Sequence, residues 1–547
     1  MPASTIEITP SAYTYPLLIK QLLHSAITSA GDQEIVYRDI NRYTYRQFFE
    51  RIGRLANAMA GQGIAQGDTV AVMDWDSHRY LEAFFAVPMM GAVLQTVNVR
   101  LSPEQILYTL NHAKADIVLV NVEFIPVLAI IKDQLETVKK FVLITDDGAT
   151  MSSFKVPYAG EYEALLAAAS AGYDFPDFDE NTRATTFYTT GTTGLPKGVY
   201  FSHRQLVLHT IAAATALGTA ASQGRLHRDD VYMPITPMFH VHAWGLPYVA
   251  TMLGLKQVYP GRYAPETLLQ FIAREGVTFS HCVPTILHML LSSKASESVD
   301  LSRCKMIIGG AAFPKGLAAA ALARGMDVFT GYGMSETCPL LTIAHVRKDL
   351  ADADADAQAA ERIKTGYSLP LVDLHTVDAE MLDVERDGKA TGEIVVRAPW
   401  LTQGYLHNPE ASEDLWAGSY LHTGDIGTLD PRGMLTVTDR LKDVIKTGGE
   451  WVSSLELESV ISQHPAVNEV AVIGIKDDKW GERPLAMIVL RAEHTATVDD
   501  IKQHVLRFAE EGHISKFAVP EQVRFVDSLA RTSVGKLNKK AMREQLA

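Results

Sequence analysis

Residues 188–198 read Tyr188-Thr189-Thr190-Gly191-Thr192-Thr193-Gly194-Leu195-Pro196-Lys197-Gly198. Hydroxyls alternate with glycines, and a lysine closes the run. Glycines let backbone N–H groups converge on an anion, threonine hydroxyls add donors, and Lys197 adds charge. Such a loop is suited to polyphosphate. No Gly-Lys-Ser/Thr stands at the Walker spacing, which argues against kinase and GTPase chemistry. Phe187-Tyr188 ahead of the loop reads as the end of a strand.

A second segment, Asp327 to Pro339, runs Asp-Val-Phe-Thr-Gly-Tyr-Gly-Met-Ser-Glu-Thr-Cys-Pro. A strand enters a Gly-Tyr-Gly turn, the place where open α/β sheets bind ligands. Glycines 331 and 333 flank Tyr332 and let a planar ring lie against its face. Glu336 offers a hard oxygen ligand for Mg²⁺. Ser335 and Thr337 can donate to phosphate oxygens. In the third segment, Thr423-Gly424-Asp425, the carboxylate can accept two ribose hydroxyls. Arg440, in Asp439-Arg440-Leu441-Lys442-Asp443, adds fixed donors for ribose or phosphate. Lys446-Thr447-Gly448-Gly449-Glu450-Trp451 allows a close backbone approach. Arg531-Thr532-Ser533-Val534-Gly535-Lys536 lies in a basic tail after an apolar stretch, 523–529. Met233 to Gly245 is apolar and carries His240 and His242. On a strand the two rings would share one face as metal ligands, or else be packed core histidines.

In their order and spacing these segments resemble the adenylate-forming superfamily: acyl-CoA synthetases, luciferases and peptide-synthetase adenylation domains. The resemblance covers about residues 30–540. It implies that Thr189, Thr190, Gly191, Thr192, Thr193, Gly194 and Lys197 hold the phosphates of ATP, with Thr189 and Glu336 at Mg²⁺. Tyr332 would stack on adenine beside Gly310, Ala311, Gly333, Ser335 and Thr337. Asp425 and Arg440 would hold the ribose, and Lys442 would be the hinge. Gly448 and Gly449 would line the pantetheine tunnel, and Lys536 would be the catalytic lysine. His240 would lie at the carboxylate end of an acyl pocket walled by Trp244, Gly309, Gly310 and Ala311. Those small side chains, with no cation among them, suit an apolar acid, and about 0.8 kcal/mol per buried methylene selects chain length.

The implied reaction is ATP-dependent ligation of a carboxylic acid to coenzyme A through an acyl-adenylate. A medium- to long-chain fatty acid is the expected substrate. The branch it looks most similar to is the bacterial medium-chain fatty acid and methylmercaptopropionate CoA ligases. The competing readings are a short substituted acid, a carrier protein as thiol acceptor, luciferase-like oxidation, and a non-catalytic nucleotide-binding regulator.

These groups need a frame. At 547 residues, with 47% hydrophobic and 21% charged residues, the chain supports more than one core. A net charge of −14 argues against nucleic acid as a partner. The three cysteines, Cys282, Cys304 and Cys338, have no metal or redox spacing and read as reduced buried thiols. No leader-like start and no membrane-length apolar run appear, so a cytoplasmic protein is expected, with a homodimer open to it.

The spacing predicts strands at 68–73, 92–97 and 117–120 and an amphipathic helix over 78–90, implying βαβ units on a mainly parallel sheet. The pattern returns between 185 and 340, with strands at 278–283, 306–310 and 327–330. The Ala/Asp-biased stretch 350–361 reads as a solvated helix or flexible excursion. Short turn-rich strands over 365–440 suggest a small antiparallel sheet or barrel. The fold class expected is therefore α/β: two βα subdomains and a barrel-like subdomain within 1–440, then a separate α+β domain, 441–547, which the resemblance implies is mobile.

Overall fold

The computed structural model describes residues 5–146, 158–189, 195–219, 225–447, 450–477, 479–511, 514–532 and 537–546. Among them the strands form four sheets. The seven-stranded sheet runs in the order Tyr158–Glu161, Lys140–Ile144, Ile117–Asn121, Thr69–Met73, Val93–Thr96, Arg183–Thr189, Lys197–Ser202. Its strands are parallel except the last, which turns back antiparallel to Arg183–Thr189. In the nine-stranded sheet, Asp327–Gly333, Lys305–Gly309, Phe279–Cys282, Val231–Pro234, Lys256–Tyr259 and Glu34–Tyr37 lie side by side in parallel. Their residues are largely buried on both faces, as in Lys305–Gly309, where Met306, Ile307 and Ile308 follow one another, the pattern of a parallel sheet covered on both sides. The fold class is thus α/β, as the alternation of patterns implies.

Helix His78–Met89 contacts strands of both large sheets. It departs from the amphipathic reading: all twelve residues are buried. Wedged between two layers, it has no solvent face, so its charged groups need partners within the protein. Glu82 takes Arg51 at 2.6 Å and the hydroxyls of Tyr43 and Tyr162 at 2.8 and 2.6 Å. Arg79 donates to Asp146 at 2.9 Å and to the Thr145 carbonyl at 3.0 Å.

The Ala/Asp stretch becomes helix Ala355–Arg362, capped by Asp354. It is anchored: Arg362 donates to Asp327 at 2.5 Å and to the Val328 carbonyl at 2.9 Å, bracing the strand that carries Tyr332.

Residues Asp373–Val377, Gly392–Arg397, Leu421–Leu429 and Leu435–Arg440 form an antiparallel meander, paired in an open order. After Arg440 the chain makes a turn, and a separate sheet begins at Ile445–Thr447. That sheet adds Glu450–Val452, Gly481–Leu490, Val467–Asp477 and Gln522–Phe525 and has its own hydrophobic core. Lys442, the expected hinge, lies in this turn. Among the described residues no helix is long and apolar enough to cross a membrane. The three cysteines are buried free thiols.

Candidate functional site

The carboxyl ends of two parallel strands, Lys305–Gly309 and Asp327–Gly333, open onto one cleft. Arg100, Thr236, His240, Trp244, Thr285, Gly310, Tyr332, Gly333 and Ser335 are among its lining residues. Side chains that the sequence separates by more than two hundred positions, Arg100 and Ser335, therefore share a wall.

At one end of this cleft Tyr332 donates its phenol to Asp425 Oδ2 at 2.8 Å, and Arg440 Nε meets Asp425 Oδ1 at 3.2 Å. Asp425 and Arg440 are register partners on adjacent strands, which fixes the pair. The Asp425 backbone N–H donates to Thr423 Oγ1 at 3.1 Å, and that hydroxyl donates to the Ile394 carbonyl at 2.7 Å. One oxygen of the buried carboxylate is thus held by Tyr332 and the other by Arg440.

Gly333 is obligatory for the turn. A Cβ there would stand 1.7 Å from the Pro339 carbonyl oxygen. Ser335 faces the cleft. Thr337 does not. It is fully buried, accepts the Met334 N–H at 3.0 Å, and donates to the Met334 and Pro339 carbonyls. Its hydroxyl holds the turn, where the sequence reading had it donating to phosphate.

Glu336 is buried, and its Oε1 accepts the Tyr405 hydroxyl at 2.7 Å. Its backbone carbonyl accepts the Thr402 N–H at 3.0 Å. Burial pushes the carboxyl up. The Tyr405 hydrogen bond and the charges of Arg440 and Lys197 oppose that rise. Lys197 lies 4.4 Å above the Tyr405 ring and pairs through its backbone with Thr189, the last residue of its strand. Tyr405 was missed by the sequence reading. Its signal is faint, a Gly-Tyr before Asn408-Pro409, and only folding brings it to Glu336.

No group of three or more His, Cys, Asp or Glu side chains among the described residues could hold a metal ion. A single carboxylate suits Mg²⁺ when substrate phosphates and water complete the octahedron. Glu336 fits that donor set.

Of the two readings of the histidine pair, the shared metal face does not form. Residues 240–242 are not strand. Val241, His242, Ala243 and Trp244 have φ of 47°, 54°, 48° and 60°, a left-handed turn closed by Gly245 at 72°. Each such residue costs roughly 1–2 kcal/mol, and burial of all four side chains offsets it. The turn sends the rings apart. His240 faces the cleft, while His242 sits among Phe84, Phe187 and Tyr248, where burial pushes it down to about 3. No shared metal face results.

Trp244 packs on His281, whose Nε2 is 2.8 Å from the Tyr232 hydroxyl and whose pKa burial lowers to about 3. The wall behind Trp244 is therefore uncharged. Gly309 is buried beneath it, and Ala311 is exposed and does not line the cleft. A Cβ on Gly309 would stand 2.6 Å from the Gly331 carbonyl oxygen and 3.0 Å from Trp244 Cη2. Gly309→Ala should therefore push Trp244 into the cleft. We expect a loss of about 1–3 kcal/mol in denaturant unfolding, and a kcat/KM that falls more for long acids than for short ones.

Arg100, an exposed cation on the cleft wall, was also missed. Thr190, Gly191, Thr192, Thr193, Gly194, Gly448, Gly449 and Lys536 lie outside the described residues.

Comparison with known proteins fits this geometry. The AMP-binding enzyme model matches residues 23–406, and the AMP-binding enzyme C-terminal domain model matches 456–536. The chain belongs to the AMP-binding enzyme family. It is 40% identical over 530 residues to a long-chain-fatty-acid–CoA ligase of Thermus thermophilus, covering 96% of this chain and 94% of that protein. It is 36% identical to a 3-methylmercaptopropionyl-CoA ligase of Ruegeria lacuscaerulensis, covering 97% and 98%. A crystal structure of ATP-bound MatB from Rhodopseudomonas palustris matches with a TM-score of 0.82 at 25% identity, covering 97% and 99%.

Proposed function

We propose that this enzyme joins a medium- to long-chain fatty acid to coenzyme A, using ATP and Mg²⁺ and releasing AMP and pyrophosphate. The observation that carries the acid's class is the Trp244 side of the cleft, where Trp244 and Gly310 lie over an uncharged back, while the exposed cation on the wall, Arg100, lies over Phe239. Acid–thiol ligation through an acyl-adenylate is the reaction class of relatives matched along nearly the whole chain.

In this reading the oriented Asp425 carboxylate takes the ribose, with Arg440 beside it and the Tyr332 ring against adenine. Glu336 holds Mg²⁺ with Thr189, and Mg²⁺, when bound, neutralises phosphate charge. Lys197 and the loop 189–194 bind polyphosphate, and His240 meets the substrate carboxylate. Lys536 stabilises the charge that builds as that carboxylate attacks the α-phosphorus. The module after Lys442 then turns, so that Gly448 and Gly449 line the path of the thiol. A cytoplasmic location belongs to the same reading, supported by buried cysteines without a disulfide, and a homodimer is open to it.

Pyrophosphate release across a series of straight-chain acids, with and without CoA, tests it. We expect a maximum at medium to long chains and turnover only with CoA present. A maximum on short thioether acids would favour the substituted-acid reading, which the second relative supports.

A further inference from the structure

The terminal module touches the acyl cleft at a point that the roles above leave unused. Thr285 is the second residue of helix Pro284–Ser292 and lines the cleft with Val283 and Ile286. Its Oγ1 accepts from Nη1 of Arg531 at 3.0 Å, across 246 positions of sequence. The other arm of the same guanidinium, Nη2, binds Glu469 at 2.8 Å, on strand Val467–Asp477 of the terminal sheet. Arg531 thus bridges the two parts of the enzyme, one arm on each. Its backbone pairs with Leu537, and the Asn538 N–H donates to the Ala530 carbonyl at 2.9 Å. Leu529 and Met542 are buried against Ala471, Ile473 and Leu485. Arg531 and Leu537, on either side of Lys536 in the sequence, are therefore tied to the terminal core, and the Arg531 side chain ties that base to the cleft wall.

We infer that the Thr285–Arg531 hydrogen bond is a positioning contact that registers the base of the Lys536 segment against the acyl cleft for the adenylate-forming step. The inference rests on the reading that Lys536 serves that step. A planar guanidinium suits the task, because its donors are rigidly splayed and can hold two partners at once. Thr285 faces the cleft, so an acyl group lodged there presses on the helix turn that holds the contact.

The test separates the two half-reactions in Thr285→Val, Arg531→Gln and the double variant. Adenylate formation is read as pyrophosphate release with hydroxylamine trapping and no CoA. Thioesterification is read from supplied acyl-adenylate and CoA. Each single variant should lower adenylate formation about tenfold relative to thioesterification, the scale of one hydrogen bond to a charged group. The double variant should fall no further than Arg531→Gln alone, because both changes remove one contact. Thr285→Val keeps the side-chain shape and leaves Glu469 paired, so it reports even where Arg531→Gln folds poorly. An unaltered ratio of half-reactions in Thr285→Val, or additive losses near a hundredfold in the double variant, would overturn the inference while leaving the enzyme's activity intact. Wild-type protein that traps no adenylate with any acid would instead bring down the activity reading beneath it.

Discussion

Replacing Lys536 by alanine lowers the rate of acyl-adenylate formation by about 10²–10³, on the order of 3–4 kcal/mol in the barrier, and largely spares thioesterification of supplied acyl-adenylate. The asymmetry follows from where charge develops. When a carboxylate attacks the α-phosphorus, negative charge grows on phosphate oxygens that neutral hydroxyls and N–H groups balance only in part. A placed ammonium supplies what they lack. When the thiol displaces AMP, the charge leaves with the nucleotide, and the thiol needs a path that a lysine held in the cleft would obstruct. Single-turnover measurements of each half-reaction decide the matter. Equal loss in both steps would mean that the lysine holds the fold or the nucleotide and does not stabilise the attack. Arginine at 536 should restore only part of the rate, since its planar fork cannot act as a compact point charge.

The parallel strands were legible because burial on both faces turns them into short apolar runs ending near Gly or Pro, as in Met306 to Gly310. The Gly-Tyr-Gly turn was legible for a related reason: Gly333 is dictated by the Pro339 carbonyl, so the glycine itself marks the site. Three features were not. The helix over 78–89 looked amphipathic because His, Arg and Glu normally face water, yet here each is paired inside two layers. The turn at 241–244 places four non-glycine residues in left-handed backbone, which local propensity disfavours and only tertiary burial sustains. Thr337 looked like a phosphate donor because it follows closely on a glycine-rich turn, but the following chain turns back and takes its hydroxyl. Tyr405 shows the general limit. A residue whose role is to orient Glu336, 69 positions away, has no local signature of that role.

That orientation sets the second large effect. Glu336→Gln removes a charge but keeps the shape, so a carboxylate that suits Mg²⁺ becomes a weak amide ligand. We expect adenylate formation to fall by about 10² or more, with Mg²⁺ titration restoring little of it. Tyr405→Phe should do less and do it differently. It removes one hydrogen bond to a charged group, about 1.5–3 kcal/mol, so the Mg²⁺ concentration for half-maximal rate should rise about tenfold. The sign of its pH effect is also fixed. Burial already pushes the Glu336 carboxyl up, and the Tyr405 hydrogen bond pulls it back down. Without that bond the carboxyl protonates at higher pH, so the acid limb of the pH–rate profile should move upward in Tyr405→Phe. A protonated Glu336 cannot ligate, and added Mg²⁺ should therefore move the limb back down by competing with the proton. A variant that only loosened packing would lower thermal stability and leave both the Mg²⁺ requirement and the acid limb where they stand in the parent enzyme.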